Sequence, residues 1–237
     1  MKIFVGIVIL IIIVFAVFSK IKKKNDNNFI ISESGTDNLK PMIFSSEPDL
    51  PKGFGYKCQW FAIKTEDTKE VLKELNLKNV QISNWETGIE GACEGYFFIS
   101  PPVNGWTFVI NSTMPGLSIN ESPFALKIIT DFSTKFGEAY YFGTHRVVEY
   151  HAWAKAVDGE LIHAFGYLGE RGEIIINEGE ISREEIEHNL IFTDLDADEP
   201  NLPSEEDVIL IAREWCIDPK LEDDNYIPGT GFIGNLE

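Results

Sequence analysis

The chain is poor in the residues and motifs by which catalytic sites announce themselves. Of its 237 residues only three are cysteine, Cys58, Cys93 and Cys216. They are odd in number, widely separated and form no C-x-x-C pair, so neither a zinc knuckle nor a disulfide framework is indicated. They read as small buried hydrophobes, a usage that fits a reducing compartment. Also missing are a G-x-x-x-x-G-K-[ST] loop, a G-x-G-x-x-G turn after a strand, a G-x-S-x-G elbow and an H-E-x-x-H helix. Gly53-Phe-Gly55 and Gly229-Thr-Gly231 are too small to cradle phosphate. No internal repeat is visible. No cofactor and no metal is implied.

Positive charge is scarce as well, with 20 Lys and Arg against 38 Asp and Glu. Five of the bases and none of the acids fall in residues 1–24, which leaves fifteen bases against 38 acids, about -23, for the rest. Such a surface repels a phosphate backbone, which excludes nucleic acid as a partner and favours a basic protein.

What is present is one long apolar run. Phe4 to Phe18 is unbroken, and Lys20, Lys22, Lys23 and Lys24 follow it. A membrane-spanning helix needs roughly 20 residues, and Ile3 to Ile21 meets this, with Lys20 able to put its ammonium among the headgroups. A cleaved secretory signal is the competing reading. Its only cleavage option, Val17-Phe18-Ser19, is weak and is followed at once by lysines. The lysine collar outweighs Lys2 and the amino group, so the positive-inside rule predicts a single-pass membrane protein with its large domain in the cytoplasm.

Three parts follow: a transmembrane anchor with its collar at 1–24, a flexible linker at 25–55 rich in Asn, Ser, Asp, Pro and Gly, and an acidic domain at 56–237. Hydrophobic residues make up 44% of the chain, and the domain holds all five tryptophans to build a core. Alternation from Tyr56 to Lys64 reads as a strand. A helix follows, capped by Thr65 or Asp67, with Val71, Leu72, Leu75 and Leu77 as its stripe. Gly95–Ser100 and Trp106–Asn111 read as a hairpin around Asn104-Gly105. Ser122-Pro123 opens a second helix that Phe136-Gly137 closes. His145–Val157, the Asp158-Gly159 turn, Glu160–Leu168 and Glu173–Asn177 make a meander, and Ser182-x-x-Glu185 and Ser204-x-x-Asp207 start two closing helices. The sum predicts an α+β fold, a mainly antiparallel sheet with helices packed on one face and a ferredoxin-like core.

One strand carries a chemical hypothesis. If 145–157 is extended, His145, Val147, Glu149, His151 and Trp153 share a face, and the greasier face with Tyr150, Ala152 and Ala154 belongs to the core. A tight turn at 158–159 would pair Ala154 with His163. Two imidazoles and a carboxylate suit an acid–base pair or a metal, although i, i+4, i+6 spacing holds the two histidines roughly 20 Å apart. His145, Glu149, His151 and Trp153 are therefore the candidate binding residues, with a solvent-facing structural strand as the plainer alternative. Asp194, Asp196, Asp198 and Glu205 mimic calcium-loop spacing, but Glu199 stands where that loop needs Gly and Pro200 and Pro203 stiffen it, so a solvated acidic connection is expected.

The segments Tyr141–Trp153, Ile99–Trp106 and Trp215–Pro219 resemble stretches of uncharacterised bacterial proteins, over about residues 56 to 232. The resemblance implies a bacterial source and brings no activity and no functional residue. The sequence thus points to a membrane-anchored acidic binding domain, one version being an immunity or inhibitor protein that masks a basic toxin. The alternatives are a hydrolase using the His and Glu face and a structural envelope protein.

Overall fold

The computed structural model describes residues 41–117, 124–222 and 225–236. In chain order the elements are β1 (Gln59–Ile63), α1 (Thr68–Leu75), β2 (Lys78–Asn84), α2 (Trp85–Cys93), β3 (Phe97–Ile99), β4 (Thr107–Asn111), α3 (Phe124–Phe136), β5 (Glu138–His145), β6 (Tyr150–Val157), β7 (Glu160–Leu168), β8 (Glu173–Gly179), α4 (Arg183–Glu187), α5 (Glu205–Trp215) and β9 (Thr230–Asn235). The strands form one sheet in the order β2-β9-β3-β4-β1-β5-β6-β7-β8. Every neighbouring pair is antiparallel. The α+β class and the antiparallel sheet agree with the sequence reading. No two neighbours run parallel, as the split βαβ unit of a ferredoxin-like core would require.

The helices lie on both faces, which corrects the expectation of one. Trp60 and Ala62 of β1 alternate with Phe61 and Ile63, and all five residues of the strand are buried. A strand apolar on both sides needs two covering layers. Trp60, Phe142 and Trp153 pack with α2 and α5, while Phe61, Tyr141 and Ala154 pack with α1 and α3.

Local chemistry sets the element ends. The Asp67 carboxylate accepts the Glu70 N–H at 3.0 Å and starts α1, and Asn76 ends it in the left-handed region. Asn104 and Gly105, and again Asp158 and Gly159, all have positive φ, as two-residue hairpin turns of type I′ demand. Ser182 and Glu185 form a reciprocal capping box at α4. The carboxylate of Asp207 accepts from the N–H and hydroxyl of Ser204 at α5. The expected Ser122-Pro123 helix start lies outside the described residues.

The stretch 41–55, read from composition as linker, is laid against the sheet. Phe54 is buried in the core, Asn84 donates its N–H to Ser45, and the Asp49 carboxylate accepts from Trp85 at 2.7 Å and Glu86 at 3.0 Å, capping α2. The anchor expected at residues 3–21 lies outside the described residues. Among the described residues no helix is long and apolar enough to cross a membrane.

Candidate functional site

The four residues singled out in the sequence do not share a strand. β5 ends at His145, the chain turns through Arg146–Glu149, and β6 begins at Tyr150. The Val148 N–H closes the turn on the His145 carbonyl at 3.2 Å, and Glu149 takes φ 51°. His145 is opposite Tyr150 in the register and Thr144 opposite His151, so His145 belongs to the other face. His151 and Trp153 do share a side, but it is covered: His151 is 1% exposed and Trp153 fully buried.

The hairpin nonetheless brings Glu149 to His151. Its Oε2 lies 3.4 Å from Nε2, while Nδ1 lies 3.1 Å from the hydroxyl of Thr144, which donates to Glu205 Oε1 at 3.3 Å. Burial pushes His151 below the usual histidine range, against the hydrogen bond and charge of Glu149 and the charges of Glu205 and Asp207. A neutral imidazole between a hydroxyl and a carboxylate has the order of a hydrolytic triad. The hydroxyl itself is sealed, because Thr144 is fully buried and its hydrogen is engaged by Glu205.

A second cluster was not legible in the sequence. Glu185 of α4, 1% exposed, accepts from Trp153 Nε1 at 2.7 Å and has His163 Nε2 at 3.0 Å on the same oxygen. Its other oxygen accepts the Ser182 N–H at 2.8 Å. Burial alone would raise this carboxyl. The hydrogen bonds from His163, Trp153 and Ser182 outweigh it and hold Glu185 below its ordinary value. His163 reaches the cluster because the register slips between Lys155 and Ala156, pairing Ala154 with Ala164 and His163 with Lys155. The expected Ala154–His163 pairing would have turned the ring to the opposite face. Both partners are sealed, so the cluster fastens α4 to the sheet and presents nothing to a ligand.

Two features do face solvent. A groove of about 580 Å³ lies between the 53–58 segment and α2, with Phe54, Cys58, Ile89, Ala92 and Ile110 among its lining and Lys220 and Glu222 beside them. Burial raises its Cys58 thiol to about 12. The other is a strongly acidic surface. Residues 170–207 hold fourteen acids and two arginines, and ten of those acids are exposed. Interspersed are the exposed Ile181, Ile186, Ile191, Leu195 and Leu202. The connection from α4 to α5 is held in place: Thr193 donates to Asn201 at 2.9 Å and Leu195 to Gly172 at 2.8 Å. Asp194, first of the calcium-like series, accepts the Ile174 N–H at 2.7 Å. Among the described residues no three His, Cys, Asp or Glu side chains are grouped so as to hold a metal ion.

Comparison with family models, with curated proteins and with solved structures finds no match for this chain.

Proposed function

We propose that the protein is a membrane-anchored, non-enzymatic binding domain that captures a basic protein partner on the surface formed by residues 170–207. The observation that carries this reading is the ten exposed acids of that segment, set among exposed aliphatic side chains on a fixed connection. Like-signed charge over such a stretch costs self-repulsion, and an oppositely charged partner relieves it while the field steers the encounter. Aliphatic residues between the carboxylates supply the apolar contact that charge alone does not. Residues 3–21 supply the anchor and their lysine collar places the domain in the cytoplasm. An immunity or inhibitor protein covering a basic toxin is one form of this function.

The test is affinity capture by the full chain from a detergent extract, run beside a variant with Asp196, Asp198 and Glu199 changed to Lys. Proteins of high isoelectric point retained by the natural chain and lost by the variant are the expected result. A partner set that is indifferent to the reversal would refute the reading.

A hydrolase is the second reading, drawn from the Thr144–His151–Glu149 order and requiring that the sealed Thr144 hydroxyl be uncovered. Its test is hydrolysis of an activated acyl ester by the natural chain and by His151→Ala. Turnover that disappears with the substitution would promote it over the binding reading.

A further inference from the structure

Among the described residues β2 and β8 are the edge strands of the sheet, and they differ in charge. β2 closes one end: it contains Lys78 and no acid, presents Val80 and Ile82, and has its last N–H taken by the Ser45 carbonyl. β8 closes the other and presents Glu173 and Glu178, with Glu180 just beyond it. Its first half is already guarded. Asp194 takes the Ile174 N–H, and a register slip leaves Ile175 without a partner on β7. A side-chain cap and a bulge are two of the devices that keep an edge from pairing. The second half lacks both. Ile176, Asn177, Glu178 and Gly179 pair in regular register with β7, and no strand lies on their outer side among the described residues.

An open edge is a row of backbone donors and acceptors that a new strand satisfies. A second copy of this chain is a poor occupant, since it brings the same glutamates and its own excess of acids. A strand carrying lysine or arginine sets opposite charge against Glu173, Glu178 and Glu180 while its backbone completes the ladder. We propose that Ile176–Gly179 is a docking strand that takes an extended, lysine- or arginine-rich segment of a partner protein as a tenth strand. This rests on the reading of the domain as a binder of basic proteins and names the place and the conformation of what is bound.

The probe is a peptide of about ten residues alternating lysine and threonine, with two derivatives N-methylated either on the lysine or on the threonine amides. In an added strand the amides point alternately toward and away from β8, so only one set of N–H groups is needed. Binding is measured by fluorescence anisotropy on the full chain in detergent. One derivative is expected to bind like the parent and the other about tenfold or more weaker. Glu178→Lys should weaken the parent peptide by a similar factor, while the control Glu90→Lys, an exposed acid on α2, should not. Equal binding by both derivatives, or equal loss, overturns the strand-addition proposal. So does failure of the parent peptide to bind while basic proteins are still captured through Asp196, Asp198 and Glu199, an outcome that leaves the broader function standing.

Discussion

Replacing Glu185 by alanine removes one side chain and leaves two buried donors, Trp153 Nε1–H and His163 Nε2, and the half-buried Ser182 N–H without their acceptor. A buried donor orphaned from its acceptor costs about 1–3 kcal/mol, toward the upper end where the acceptor was charged. These losses overlap, because the same carboxylate serves all three groups, so about 3–5 kcal/mol is the expected total rather than their sum. The capping box of α4 goes with it. Urea unfolding of the full chain in mild detergent, followed by tryptophan fluorescence, measures the difference. Its pH dependence is a second reading of the same bond. Glu185 is held below its ordinary value of 4.5 in the folded protein, so its contribution is fully present above that value and is lost as pH falls through the depressed folded value. The gap between natural chain and variant should therefore be widest near neutrality and narrow as the solution is acidified below about pH 4. A loss under about 1 kcal/mol at neutral pH, or a gap that does not change with acid, would refute the claim that this carboxylate fastens α4.

Three other outcomes follow from the packing and hydrogen bonding. A Cβ at Gly88 would lie 2.4 Å from the Phe98 ring, so Gly88→Ala should destabilise by about 1–3 kcal/mol in the same unfolding assay. Tyr150→Phe removes the oxygen that accepts the Leu117 N–H at 2.7 Å and contacts Tyr141 at 3.0 Å; a loss of about 1–3 kcal/mol is expected, and an unchanged midpoint would show that the network is dispensable. Burial raises the Cys58 and Cys216 thiols to about 12 and also raises Cys93, but Cys93 is exposed where Cys58 is buried and Cys216 half-buried, so a thiol reagent at mildly alkaline pH should label Cys93 before the other two. Mass-mapped labelling rates check this, and equal rates at all three would contradict it.

The parts of the fold that were legible in the sequence are those whose signal is local. Asp67 before an apolar stripe, Asn104-Gly105 and Asp158-Gly159 between β-rich runs, and the Ser182-x-x-Glu185 box each fix a backbone conformation within a few residues. The parts that escaped lack such chemistry or depend on distant partners. α2 contains Gly88 and Gly91, poor helix formers kept because Phe98 and Ile233 leave no room for a side chain. The turn at Arg146–Glu149 has no Gly, Pro, Asn or Asp to mark it, and Glu149 takes a left-handed conformation that its residue type does not advertise. That single reversal moved His145 off the face of His151. The slip at Lys155–Ala156 did the converse, turning His163 toward Glu185, and no pattern of alternation announces a one-residue bulge. Burial on both sides was in view in Trp60-Phe61-Ala62-Ile63, a continuous apolar run that asks for two layers rather than one.

If charge on residues 170–207 recruits a basic partner, the complex must weaken as salt is added. The dissociation constant of the captured partner and the full chain should rise at least about tenfold as ionic strength goes from about 0.05 M to about 0.5 M, because screening shortens the reach of exposed carboxylates. The variant with Asp196, Asp198 and Glu199 changed to Lys should lose most of that slope. A dissociation constant that stays flat across the range, with the same value for both proteins, would contradict the claim.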